Sequence, residues 1–297
     1  MMESCRTAVE AKSALASRSD FLSLEALLVS RAYLYELFHK VFGGEPSERL
    51  LELIGSQTTI DVLDEYANES GTMANLRDFA VRVGSKRDNA AFIGEVSDEF
   101  ARFFEGPADP PAYPWESTYV GDGSMVFQPS TLVVREAYKV QGLQVSRLYH
   151  VPDDHVSVMC AFMAELSRRA LKAFRGRETA SLRELLAAQR SFAGSHMVNW
   201  LPRYAEGSLR VSRAHLYPHM AQGVSAFVAL DAVFCEHVLA WTDGALADDG
   251  SWSCVDYDSS EYFGKVETIM HELSELRLRG IEDNELKLIE PDGVRGA

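Results

Sequence analysis

Two short stretches gather the side chains best suited to chemistry. In "VPDDHVSVMCAFMAEL" (Val151 to Leu166), Asp153, Asp154 and His155 stand directly before an apolar stripe. Carboxylates beside an imidazole could move protons, or they could satisfy the free N–H groups at a helix start. No Ser or Cys stands in an evident pairing with them, so acid–base and nucleophilic catalysis find little support. In "PWESTYVGDGSM" (Pro114 to Met125), Trp115 and Tyr119 flank Glu116, with Tyr113 just upstream. Aromatic rings supply contact area and a carboxylate can receive a guanidinium, which suits a peptide with apolar and arginine side chains. A proline-rich loop of this kind can equally wedge into a helix bundle, its polar tips finding hydrogen bonds there. The residues alone leave both readings open.

Other chemistry is sparse. There is no GxxxxGK[ST], GxSxG, HExxH or GxGxxG, so phosphate loops, hydrolase elbows and dinucleotide sites lack their signatures. His215 and His219 have the spacing of two imidazoles on one helix face, but Pro218 lies between them and no carboxylate pattern supports a metal. Cys5, Cys160, Cys235 and Cys254 are scattered without metal or redox spacing. "SRRALK" (Ser167 to Lys172) imitates a twin-arginine export motif, yet it lies mid-chain with no signal core after it.

Composition narrows the class. A formal charge of −15 over 297 residues argues against nucleic acid and favours attraction of a basic partner. No apolar run approaches bilayer length, and "MMESCRTAVEAKSALASRSD" lacks a secretory core. The expectation is a cytoplasmic protein that does not insert into membranes.

The elements that must position these residues are helical. Leu24, Leu27, Leu28, Leu34, Phe38 and Val41 recur at three- and four-residue steps, and Gly43, Gly44 and Pro46 stop that helix. Asp20 or Ser23 can cap its start, and Ser47 caps the next helix. Further helices are predicted over 61–68, 73–83 and 89–106. Pro107, Pro110, Pro111 and Pro114 then impose an ordered loop, and Pro129 opens a helix that Gly142 ends. Asp153 is a good N-cap for a helix running to about Gly176, with long helices over 180–205 and 209–241 following. Residues 243–260 read as an acidic loop and 261–280 as an amphipathic helix. The fold class is all-α, a single-domain bundle of about ten helices with a Pro-rich loop and an extra C-terminal helix. Its organisation is a flexible segment over 1–19, a helical domain over 20–242, and an acidic loop with a helix over 243–297.

These pieces, taken in order, resemble a family. "RAYLYELFHKVFGGEPSERLLELI" (Arg31 to Ile54) is similar to the first two helices of the TorD/DmsD/NarJ-type redox enzyme maturation chaperones. The resemblance continues through "EFARFFEGP" (Glu99 to Pro107), "PWESTYVGDGSM" and "VREAYKVQGL" (Val134 to Leu143), and is strongest at "VPDDHVSVMCAFMAEL". "FAGSHMVNWLPRYAE" (Phe192 to Glu206) is similar to the family's helix bearing a His, a Trp and a Pro. The match spans about residues 25 to 240, and the acidic tail goes beyond the family pattern.

The resemblance implies an all-helical chaperone, not an enzyme, that binds the twin-arginine signal peptide or the apoprotein of a molybdenum-cofactor oxidoreductase. It implies no cofactor, no metal and no nucleic acid, and leaves a homodimer open. The family's tyrosine-x-serine loop falls on Trp115, Glu116 and Ser117, with Trp in place of Tyr. Its proline-aspartate-histidine signature falls on Pro152, Asp154 and His155. With Tyr113, Tyr119, Asp153, His196 and Trp200, these become the walls of a peptide groove. The alternatives are an assembly factor for a non-exported respiratory subunit, as in the nitrate reductase branch, and a nucleotide hydrolase.

Overall fold

The computed structural model describes residues 18–86, 88–121, 129–146, 151–245, 261–277 and 285–289. Within them the chain forms α1 (Arg18–Gly43), α2 (Glu48–Ile54), α3 (Gln57–Ala67), α4 (Gly71–Gly84) and α5 (Ala90–Phe100). The Pro-rich loop carries the one-turn α6 (Ser117–Val120), followed by α7 (Pro129–Val140) and the strand β1 (Leu143–Val145). Then come α8 (Val156–Arg175), α9 (Thr179–His196), α10 (Leu201–Ser208), α11 (Tyr217–Ala245), α12 (Glu261–Glu275) and β2 (Leu286–Leu288). Among the described residues the fold is all-α apart from a two-stranded antiparallel sheet of β1 and β2. The segment 1–17 and most of the acidic loop, 246–260, lie outside the described residues.

Local chemistry sets most boundaries. Ser47, Ser56, Ser70 and Asn89 each sit extended before a helix, their side-chain oxygens accepting from the first turn. Ser56 and Ser70 therefore start α3 and α4 earlier than the predicted 61 and 73. The helix α1 is described from Arg18 and runs through both Asp20 and Ser23, rather than starting at either. Gly55 and Gly84 bring the ends of α2 and α4 together so closely that a Cβ on Gly55 would meet Gly84 Cα at 2.4 Å.

Two further boundaries differ from the sequence reading. The predicted 180–205 helix is broken: α9 ends at His196, and Pro202 sits in the first turn of a separate helix, α10. The predicted 209–241 helix starts only at Tyr217. Its start is set by Glu99 on α5, whose buried carboxylate accepts from the backbone N–H groups of His215 (2.9 Å), Leu216 (2.6 Å) and Tyr217 (2.9 Å). α5 itself continues as a π-turn, Ala101–Glu105, closed by Gly106 N–H to Ala101 O at 2.7 Å.

The core is built around α1, which packs most extensively on α8. α9 lies against α8 and α11, and α12 packs on α1, α2 and α3 through buried Phe263, Val266 and Leu273. In contrast to the sequence reading, Tyr217–Thr242 is long and apolar enough to cross a bilayer. Here it packs against α1, α4, α9 and α10. The leader-like arginines of "SRRALK" are structural: Arg168 pairs with Glu36 (2.8 Å) and Glu165 (3.0 Å), and Arg169 with Glu165 (2.8 Å).

One polar knot ties the long helices together. Arg31 of α1 is 1% exposed and donates through Nε to Asp231 of α11 and through Nη2 to Gln189 of α9. Nη2 also reaches Asp231 Oδ2 (3.2 Å) and Cys235 Sγ (3.1 Å), while Tyr35 Oη donates to Oδ2 at 2.7 Å. Burial opposes the arginine's charge most strongly, but Asp231, Cys235 and Tyr35 together outweigh it and the guanidinium pKa is raised. Asp231→Asn should therefore cost about 3–5 kcal/mol in urea unfolding, because it strands a buried cation. Arg31→Met with Asp231→Leu should recover most of that loss. A double variant no more stable than the single one would show that packing cannot substitute for the ion pair.

Candidate functional site: an interlocked loop and helix start

The Pro-rich loop and the start of α8 are zipped together by backbone hydrogen bonds. Val156 N–H donates to Pro114 O (2.9 Å) and Glu116 N–H to Asp154 O (3.1 Å), making an antiparallel bridge between Trp115 and His155. Prolines fix φ along the loop and hold it extended enough to pair in this way.

Each acidic or basic group of "PDDH" then has its own task. His155, not Asp153, is the N-cap of α8: its backbone is extended, and its Nδ1 accepts from Ser157 N–H at 3.2 Å. Asp153 lies too far upstream to reach those donors. Its carboxylate instead forms a two-point pair with Arg135 of α7 (3.1 and 2.7 Å), and its carbonyl accepts from Tyr138 Oη at 2.7 Å. Asp154 turns the other way, accepting from Ser117 N–H at 2.8 Å at the start of α6. Burial raises the Asp154 pKa, with Ser117 and Thr131 acting in the opposite direction. All three residues are buried.

The loop's own side chains lock onto α9 and α10. Glu116, 2% exposed, faces His196 Nδ1 at 3.2 and 3.3 Å and Asn199 Nδ2 at 3.4 Å. Any guanidinium from a partner would have to displace His196 to reach that carboxylate. Trp200 Nε1 donates to His196 O (2.7 Å), and its ring stacks on Tyr119 at 5.4 Å. Arg203 lies over the Tyr119 ring at 5.2 Å and donates to its carbonyl. Tyr113 packs 5.9 Å from Trp115, which meets His155 edge-on at 6.0 Å.

The eleven residues singled out from the sequence thus form one continuous cluster, divided by exposure. Pro152, Asp153, Asp154, His155, Glu116, Ser117 and Trp200 are buried. Tyr113, Trp115, Tyr119 and His196 are half-buried and can meet a partner. His196 also borders an apolar groove of about 200 Å³ lined by Ala137 and Val140 of α7, Phe162 of α8, and Ala188 and Phe192 of α9. Val140 is 74% exposed, and Leu132 and Val133, earlier on α7, are 58% and 56% exposed. Sequence reasoning missed this face, along with Arg135, Asn199 and Arg203. Only the run of apolar residues in "TLVVREAYKV", wider than one helix face needs, hinted at the groove. His215 and His219 do not converge: the first faces Glu95 at 3.2 Å and the second stacks on Phe79 at 4.1 Å.

Two buried histidines make the site acid-sensitive. Burial lowers the His155 pKa to about 3, with His39 adding to the effect. Burial also lowers that of His39 to about 4, against the opposing pull of Glu36. Both are neutral when folded, and His39 Nδ1 lies 2.9 Å from Ser157 Oγ. Unfolded histidine titrates near 6.5, so below that pH the unfolded chain takes up protons that the folded chain refuses. Stability should be flat above about pH 6.5 and fall steadily toward pH 4, by roughly 2 kcal/mol per histidine at pH 5. The raised Asp154 pKa acts in the opposite sense and offsets part of this loss. Urea midpoints at pH 7 and pH 5 measure the net effect, and His39→Gln should flatten the dependence. Equal midpoints at the two values would contradict it.

Comparisons with known proteins agree with this architecture. The family model for the nitrate reductase delta subunit matches residues 63–206. The chaperone protein TorD of Vibrio cholerae serotype O1 (strain ATCC 39541) is 26% identical over 208 residues, 70% of this chain and 93% of that protein. TorD of Vibrio parahaemolyticus serotype O3:K6 is 23% identical over 214 residues, 71% of this chain and 97% of its own. TorD of Shewanella pealeana is 21% identical over 216 residues, 70% of this chain and 91% of its own. The helical fold and these two kinds of match make the chain similar to the TorD chaperones and to the nitrate reductase delta subunit family, the resemblance that the ordered motifs also carry.

Proposed function

We propose that this chain is a cytoplasmic chaperone that holds the twin-arginine leader of a molybdenum-cofactor oxidoreductase while the cofactor is inserted. The observation that carries the reading is the junction of two surfaces at His196. On one side stand the half-buried rings of Tyr113, Trp115 and Tyr119. On the other lies the apolar groove between α7 and α9, lined in part by the exposed Val140, with Leu132 and Val133 exposed on the same helix. A leader has a basic segment followed by an apolar core, and such a junction offers a counterpart to each. The Tyr113 and Trp115 rings can take arginine planes, and the groove can take the core. The formal charge of −15 would speed encounter with a basic peptide.

A second reading has its own support. The family model that matches is that of the nitrate reductase delta subunit, which fits an assembly factor for a subunit that carries no leader. Both readings give the chain a molybdoenzyme partner, and they differ in what is held.

Titration with a twin-arginine leader peptide and its twin-lysine version separates them. The arginine peptide should bind about tenfold more tightly, because ammonium groups neither stack on rings nor fork their hydrogen bonds. Raising salt from 0.1 to 1 M shortens the screening length from about 10 to about 3 Å, so association should slow while the apolar contribution persists. Val133→Asp should weaken binding without loss of fold, since Val133 is 56% exposed. Equal affinity for an unrelated secretory leader of the same hydrophobicity would overturn leader recognition and favour the second reading.

A further inference from the structure

His39 of α1 carries a base that the fold does not use. The residue is 3% exposed, and its Nδ1 lies 3.0 Å from Ser157 O and 2.9 Å from Ser157 Oγ on α8. Ser157 Oγ gives its own hydrogen to His39 O at 2.9 Å. Both Ser157 oxygens can therefore only accept from the ring, which fixes the ring proton on Nδ1. Nε2 is left as a lone pair, and it forms no hydrogen bond among the described residues. With Nδ1 committed to α8, Nε2 is the nitrogen left for the cavity that His39 lines.

That cavity measures about 340 Å³, within the range of about 300–1,000 Å³ usual for small-ligand sites. Its floor is α1, where Glu36 and Lys40 are 5% and 3% exposed. Its mouth is set by Glu165 and Arg168 of α8 and by Glu285 beside β2, all partly exposed. The two cations have little left to give. Lys40 Nζ, which also faces Glu36 at 3.8 Å, spends its three protons on Leu276 O (3.0 Å), Ser274 O (3.4 Å) and Glu285 (3.4 Å). Arg168 turns Nη1 to Glu36 (2.8 Å), and Nε and Nη2 to Glu165 (3.2 and 3.0 Å). Each carboxylate can accept about four hydrogen bonds, so Glu36, Glu165 and Glu285 keep lone pairs to spare, and His39 Nε2 adds another. The space is rich in acceptors and poor in donors. Among the described residues no three His, Cys, Asp or Glu side chains are gathered as metal ligands, so the cation that fits is an organic one. Several carboxylates and one lone pair suit a planar ion with many N–H groups better than a compact ammonium.

We propose that this cavity binds a guanidinium group, with the carboxylates of Glu165 and Glu285 and the Nε2 of His39 as its acceptors. The group can come on a free guanidino compound or on an arginine side chain, since the cavity reads the ion and not what carries it. The site does not depend on the leader reading at His196.

The test titrates the full-length chain, nitrogen-15 labelled at histidine, with methylguanidine at about 0.15 M salt, where scattered surface carboxylates are screened. The His39 Nε2 resonance should move saturably as the nitrogen accepts a hydrogen bond. Methylammonium should bind at least about fivefold more weakly, because it has fewer donors and no fork. Glu165→Gln and Glu285→Gln, at side chains 28% and 51% exposed, should each weaken methylguanidine by about fivefold or more. A glycyl-arginyl-glycine peptide with blocked ends separates the two sources. Binding as tight as that of methylguanidine assigns the site to arginine side chains, and much weaker binding assigns it to free guanidino compounds. Absence of a saturable His39 shift in the unaltered chain would overturn the site and leave the cavity to water. Unchanged affinity in both glutamine variants, with melting like the unaltered chain, would overturn it too. Equal affinity for methylammonium would overturn the guanidinium assignment.

Discussion

The buried pair of Arg31 and Asp231 is the constraint around which the bundle is arranged. Removing two charges from water is costly, and the cost is met only while α1, α9 and α11 stay in register. Greasy ridges on these helices could slide past one another by a turn with modest loss. A guanidinium that must meet Asp231 and Gln189 together cannot. That fixed frame sets α8, which packs on α1, and α8 in turn presents His155 and the loop that pairs with it.

Within the site, buried groups do the positioning and half-buried ones face outward. Asp153 ties α7 to the start of α8 through Arg135, and Asp154 starts α6 through Ser117. Glu116 fixes His196, and Trp200 fixes Tyr119. The motif that reads as a row of reactive groups is mostly an adhesive between four elements. Its yield is the orientation of Tyr113, Trp115, Tyr119 and His196.

The helical class, most helix positions and the two stretches that the structure brings together were legible in the sequence, because each has a local signature. Apolar periodicity marks α1 and α8, and Ser47 and Asn89 mark two starts. Pro129 marks a third. What stayed hidden depends on distant partners. Nothing near Asp153 says that Arg135 will claim it and leave the cap to His155. Nothing near Tyr217 says that Glu99, more than a hundred residues upstream, delays the helix start. The break before α10 was the exception: Pro202 was in plain view, but the periodicity around it was strong enough to mask it.

The apolar length of α11 has a bearing on how the chain is made. A helix fit to span a bilayer is a hazard for a protein under synthesis, since it can be taken for a membrane segment as it leaves the ribosome. Here the order of the chain works against that error. α1, α4, α9 and α10, against which α11 packs, are all translated before it, as is Glu99, which anchors its first turn. The nascent helix therefore emerges beside a surface already shaped to receive it, and Asp231 at its middle makes the lipid alternative more costly still.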